Sequence, residues 1–178
     1  MASRRALAFL ILIGSVALLG VALSTSPAWA FKAVAIITGN QGKIQGEITT
    51  KGLEGTIFVQ AIAFASSTPF DATSGSPTGQ RTSMPLHVVK VPDTATPQLL
   101  LAHDKGEVLT VEIRMFRPVT TGAVEHYFTI RLVNAAIVGV QASGDVNAPG
   151  GVLETISFVY QTITFTNLIN GKIVELPY

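Results

Sequence analysis

Two patterns of apolar positions divide this chain. From Ala6 to Leu23 the apolar residues run on, broken only by Gly14, Ser15 and Gly20. Beyond Phe31 they come in short runs and alternations separated by Gly, Pro, Ser, Asn and Asp, the pattern of strands and turns. Ala33 to Thr38 is a short strand, Asn40-Gln41-Gly42 a turn, and Lys43 to Ile48 a second strand. Thr56 to Ala65 is apolar at nearly every position, which predicts a strand covered on both faces. Leu86 to Val91 is another strand, ended by Pro92-Asp93. In Leu109 to Arg117, Leu109, Val111, Ile113 and Met115 point one way and Thr110, Glu112 and Arg114 the other, as in a half-buried antiparallel strand. Pro118 to Gly122 turns the chain, and Glu125 to Gln141 is long enough for two strands or one bent strand. The last long strand, Val152 to Thr166, carries its apolar phase on Ile156, Phe158 and Tyr160 and then shifts to Ile163 and Phe165. That slip predicts a bulge near Gln161-Thr162. Asn170-Gly171 is a hairpin signal that folds Lys172 to Pro177 back as a final strand.

One stretch reads as helix. Thr96 is the expected N-cap, Pro97 the first helical residue, Leu99, Leu100 and Leu101 the apolar face, and Gly106 the exit. Ser66 to Ser83 is rich in Ser, Thr, Gly and Pro and reads as a long extended loop, a length that marks either a functional or a disordered segment, so a surface excursion and a binding role both stay open. Ala142 to Gly151 is a second loop. The sum is a mainly β fold: a compact β-barrel or sandwich of seven to nine strands with one short α-helix, closed or nearly closed so that strand edges are hidden.

The continuous apolar run gains meaning from its flanks. Arg4 and Arg5 precede it and Ala28-Trp29-Ala30 follows, the layout of a secretion signal cut after Ala30. Residues 31–178 then form one domain, secreted or periplasmic. The alternative is an uncleaved anchor, the one route by which a membrane enters the picture; at 18 residues the run is at the lower edge for spanning a bilayer. Removing Arg4 and Arg5 leaves ten Lys+Arg against eleven Asp+Glu, a net charge near −1, with no basic cluster for a nucleic acid. With no cysteine, the domain is held by packing rather than disulfides. Charged residues make up 13 % of the chain, against about 25 % in a typical soluble domain. The deficit beyond the leader suggests a surface covered by other copies of the chain.

The search for reactive groups returns little. His87, His103 and His126 lie on three separate segments, without metal-ligand spacing. There is no Gly-x-Ser-x-Gly elbow, dinucleotide fingerprint or phosphate loop. Asp145-Val146-Asn147 with Gly150 resembles the start of a calcium loop, but Ile156 stands where the closing glutamate belongs, so a turn is expected. Glu112, Glu125 and Glu154 read as charges on solvated faces. No cofactor, metal or catalytic residue is expected, and two readings of the remaining surface stay open. One is self-assembly. The other is a monomeric exported β-domain that binds a carbohydrate, peptide or effector through residues 66–83.

The order of segments carries a resemblance. Lys43-Ile44-Gln45-Gly46-Glu47, Ile57 to Ala65, the Gly/Ser-rich stretch after Ser66, Asp93-Thr94-Ala95-Thr96-Pro97-Gln98-Leu99, Glu125 to Leu132 and Glu154 to Ile163 are similar, in that order, to the type VI secretion tube protein family, haemolysin-coregulated protein. The resemblance implies a non-enzymatic β-barrel protomer with its helix on one side. Such protomers close into homo-hexameric rings and stack as a hollow tube that holds small effector proteins. It makes Ser66, Ser67, Thr68, Pro69, Phe70, Asp71, Ser74, Gly75 and Ser76 the candidate assembly loop, reaching toward the neighbouring ring. The leader departs from the family pattern and implies an exported relative.

Overall fold

The computed structural model describes residues 32–178 except 121 and 148; the expected leader and its cleavage site lie outside the described residues. Strand β1 (Lys32–Gly39) turns through Asn40 and Gln41 into β2 (Gly42–Lys43), with Gly42 at a positive φ of 103° that a glycine tolerates. The expected strand to Ile48 stops at Lys43. The chain beyond it runs irregularly, its backbone satisfied by Gly55 O, Thr56 O and the side chain of Gln98 instead of a ladder.

The apolar stretch after Thr56 is not one strand but two. β3 (Ile57–Val59) pairs with β1, and β4 (Ala61–Ala63) pairs with a different partner, β7 (Leu86–Lys90). The break falls at Gln60. The expectation of two covered faces also fails within the protomer, because Phe58, Ala61, Ala63 and Ala65 are exposed. β5 (Ser66–Ser67) and β6 (Thr82–Ser83) pair as the base of a hairpin arm, which leads into β7 (Leu86–Lys90).

Helix α1 (Thr96–Asp104) follows. It buries Leu99 and Ala102, while Leu100 and Leu101 stay about half exposed. Three consecutive leucines cannot share a helix face when successive side chains are turned by about 100°. The cap also differs from expectation. Thr96 is already helical, the residue before it is Ala95, and Thr96 does not cap the helix. Asp93 does that work one turn earlier: its Oδ1 accepts the Ala95 N–H at 2.9 Å, and Thr96 Oγ1 accepts the Asp93 N–H at 3.1 Å. This is a reciprocal box, shifted three residues upstream of the expected one.

β8 (Leu109–Pro118) alternates as expected. β9 (Val124–Gly144) is the bent single strand, 21 residues long, and its bend is at Asn134, whose φ is +50°. Its first half pairs with β8 and with β11 (Thr162–Asn167); its second half pairs with β10 (Val152–Val159). The phase slip of the last long strand is therefore not a bulge. The strand ends at Val159, and β11 starts in the other layer after a corner at Tyr160 and Gln161. The two corners are tied together: Asn134 Nδ2 donates to Gln161 Oε1 at 2.6 Å, and the Gln161 N–H bonds Val133 O. Register shifts occur elsewhere, all along β9: between Ile137 and Gly139 opposite Ser157 and Phe158, and at two places opposite β8. β12 (Ile173–Pro177) returns along β11 after the loop containing Asn170-Gly171.

The result is a ten-stranded sheet in two layers. The first layer contains β3, β1, β8, the start of β9, β11 and β12; the second contains the end of β9, β10, β7 and β4. The sheet does not close, so the fold is an open sandwich, with bent strands joining the layers. Ile113, Leu132, Ile156, Phe158 and Ile163 fill the space between, with Leu99 and Ala102 of the helix.

Candidate assembly surface

Three of the sequence motifs converge at the start of α1. Gly46 packs so closely that a side-chain carbon there would meet the Thr56 carbonyl, which only glycine permits. Glu47 Oε1 accepts the Thr94 N–H at 3.0 Å, and Thr94 Oγ1 donates to Gln45 O at 3.2 Å. Gln98 closes the same contact, accepting from Gln45 N at 3.1 Å and donating back to Gln45 O at 3.1 Å.

Beneath them lies a buried ion cluster. Lys90 is 1 % exposed, and its Nζ stands 2.8 Å from Asp93 Oδ1 and 2.9 Å from Glu154 Oε2. It also donates to Val91 O and to Thr96 Oγ1, and Thr96 Oγ1 donates to Glu154 Oε2 at 2.7 Å. Glu154 is therefore not the solvated charge expected of it; it is 4 % exposed. The signal was present. Glu154 shares the parity of Ile156 and Phe158, and Lys90 that of Leu86 and Val88, and parity decides which face a strand residue occupies.

The candidate assembly loop forms a self-contained arm. Ser66 and Ser67 pair with Ser83 and Thr82, Thr68 and Pro69 continue outward, and Phe70 bridges Pro77. Asp71 shapes the tip: its Oδ1 accepts the N–H groups of Thr73 and Ser74, and its backbone closes on Ser76 O. These N–H bonds to the charged form hold the Asp71 carboxyl below the usual aspartate value of 3.8. Ser74 Oγ accepts from Ser76, and Gly75 adopts the positive φ the turn needs. Every residue from 66 to 80 is exposed, Phe70 to 67 %. At the base, Arg81 donates to Ser83 Oγ and to Pro177 O, tying the arm to β12. Pro97 sits in the first turn of α1, away from the arm.

The three histidines stay apart, and no group of three His, Cys, Asp or Glu that could hold a metal occurs among the described residues. His103 is exposed near the end of α1. His126 lines an open groove with Lys51, Leu53, Arg114 and Phe116 on the outside of the first layer. His87 pairs across strands with Ser157, Nδ1 to Oγ 2.8 Å, a contact sequence spacing could not have shown. Their cross-strand row continues to Ala63 and Gly139 and supplies no carboxylate to orient the imidazole. Asp145 makes the expected turn, accepting the Asn147 N–H at 2.9 Å.

A sheet-rich protomer with one helix, an exposed arm and a family motif set gathered at the helix start defines a tube-type secretion protein. The family model described as type VI secretion system effector, Hcp, matches residues 36–166, and the chain belongs to that family. It is 38 % identical over 132 residues, 71 % of this chain and 77 % of the relative, to the major exported protein of Pseudomonas aeruginosa. A crystal structure of an Hcp protein superposes with a TM-score of 0.77 at 28 % identity, covering 84 % of this chain and 98 % of that one. The secreted protein Hcp3 from Pseudomonas aeruginosa does so at 0.67 and 30 %, covering 82 % and 99 %.

Proposed function

We propose that this chain is an exported, non-catalytic protomer that closes into hexameric rings, which stack into hollow tubes through the 66–83 arm. A leader at residues 1–30 directs it across the membrane, and residues 31–178 form the tube unit. The observation that carries the reading is the family match over residues 36–166, which runs from within β1 to within β11. The arm supports it further: exposed from residue 66 to 80 yet internally hydrogen-bonded, it is ordered enough to reach a neighbour without first losing much entropy. The name of the Pseudomonas relative supports export.

Light scattering after size exclusion, with electron micrographs of the processed protein, tests the reading. Rings of six are the expected result; a monomer at high concentration overturns it. Shortening the arm by deleting residues 70–77 should leave single rings intact and abolish stacks, and normal stacks from that variant would show that the arm is idle.

A further inference from the structure

The charged side of the first layer carries an open groove. It has a volume of about 510 Å³ and lies between the end of β8, the start of β9 and the turn at residues 50–53. Its size is that of a small-molecule site. The turn is built in advance. The Leu53 N–H bonds Thr50 O at 2.9 Å, and the buried Thr56 holds Leu53 O through both its N–H and its hydroxyl, at 3.1 and 2.7 Å. Leu53, Phe116 and Val124 supply apolar surface, and Phe116 packs on His126 with ring centres 5.2 Å apart and planes tilted by 34°. Lys51 and Arg114 supply two cations. No Asp or Glu lines the groove among the described residues. Glu112 meets Arg114 from the side, 2.6 Å from Nε, so the terminal nitrogens of the guanidinium have no hydrogen-bond partner among the described residues. Glu54, the acid nearest to Lys51 in sequence, accepts the Gly52 N–H at 2.8 Å and stands outside the lining.

We propose that this groove binds a small aromatic carboxylate, its ring against Phe116 and Leu53 and its carboxylate on Arg114 and Lys51. A flat ring covers the apolar wall and packs beside Phe116 with few rotamers to freeze. The free end of the Arg114 guanidinium offers paired N–H donors at the spacing a carboxylate accepts, and Lys51 adds a point charge on a flexible stem from the exposed turn. The charge balance favours an anion. Residues 31–178 carry ten Lys+Arg against eleven Asp+Glu, yet here two cations face the single carboxylate of Glu112. His126 reports this local field. The charges facing it are Arg114 and Glu112 from β8 and Lys51 from the turn, and the Arg117–Glu125 pair stands next along the two strands. Burial and Arg114 disfavour its imidazolium, and an anion among these groups favours it. Binding and protonation of His126 are therefore coupled, each strengthening the other. The site needs only one protomer, so it is independent of ring closure.

The probe is naphthoate, added to the processed protein while the His126 ring resonances are followed. Saturating naphthoate should shift those resonances and raise the His126 titration midpoint, and its affinity should rise about threefold to tenfold as the pH falls from about 8 to about 5. Arg114→Gln should weaken binding roughly tenfold or more. Glu112→Gln, which removes the competing carboxylate, should tighten it. Both side chains are about one-third exposed, so neither change should move the melting point far. Naphthylmethanol, which keeps the ring and lacks the charge, should bind about tenfold more weakly than naphthoate. Equal binding of the alcohol would overturn the proposal by showing that the cations are idle, and phosphate binding as tightly as naphthoate would overturn it by showing that the ring is. Unmoved His126 resonances at millimolar naphthoate, or binding unchanged in Arg114→Gln, would remove the site outright. Rings of six that bind no naphthoate would leave the assembly reading intact.

Discussion

The two layers of the sandwich place their charge on opposite sides. In the first layer the core side is apolar, with Ile113, Leu132 and Ile163 fully buried, and the outer side carries Glu112, Arg114 and Arg131. In the second layer the core side holds Lys90 and Glu154, both nearly inaccessible, and the outer side carries no Asp, Glu, Lys or Arg. The first is an ordinary solvated sheet. The second uses its inner charges to fix the start of α1 against β7 and β10, and leaves its outer face without Asp, Glu, Lys or Arg. A buried ion pair is not in itself a source of stability, since desolvation can cancel the attraction. Its effect here is positional: Lys90 reaches Asp93 and Thr96 at the helix start and Glu154 on the neighbouring strand, so the three elements must arrive together.

That inversion can be broken from the inside. Removing Glu154 takes away one of the two carboxylates that hold the buried ammonium, leaving Asp93 alone, and deprives Thr96 of its acceptor. Glu154→Ala should cost about 3–5 kcal/mol, read as a fall in the urea midpoint at unchanged slope. The corresponding change outside, Glu112→Ala, removes a pair that is about one-third exposed and should cost less than about 1 kcal/mol. Equal losses would erase the distinction between the layers. A smaller effect is expected at the link between cluster and helix. Thr96→Val keeps the shape but removes a hydroxyl that accepts from Lys90 and Asp93 and donates to Glu154. About 1–3 kcal/mol should be lost, and Thr96→Ser should restore most of it. If Asp93→Ala destabilised the chain no more than a surface change, the upstream cap would be misassigned.

Much of this was legible where one strand stays in one layer. The alternation of Leu109 to Arg117 gave β8 and its buried face, and Asn170-Gly171 gave the β11–β12 hairpin. What the pattern could not reveal was the change of layer. Ile57 to Ala63 reads as one run because both of its halves are apolar, and only tertiary pairing splits it at Gln60. The slip between Tyr160 and Ile163 was visible in the right place. A phase change, however, looks the same whether a residue bulges or the chain turns a corner, and the partner that distinguishes them, Asn134, lies 27 positions away. The cap was displaced for a related reason: Thr-Pro is a strong local signal, but the Thr96 hydroxyl is already committed to Glu154 and the Asp93 N–H. For the second layer's outer face the low share of charged residues was readable in the chain, and only the fold gathered that deficit onto one side.

The gentlest probe of the comparison is a proton on the charged side. His126 stands on β9 beside Phe116, ring centres 5.2 Å apart, with Nε2 2.9 Å from Thr129 Oγ1 and Arg114 lining the same groove. Partial burial first, and then the Arg114 charge, disfavour the imidazolium and hold its pKa below the ordinary 6.5; the Phe128 backbone and, after it, Glu112 act in the opposite sense. A group whose folded pKa lies below its unfolded value binds its proton more readily in the unfolded chain. Its contribution is therefore fully present above pH 6.5 and is lost as the pH falls through the lower folded value. A proton-resonance titration of His126 should show its midpoint below 6.5. Arg114→Ala should move it upward only part of the way, because burial is the larger cause. A midpoint at or above 6.5 in the unaltered protein would mean that water and Glu112 dominate this groove, and that the first layer's outer face is even more fully solvated than its geometry implies.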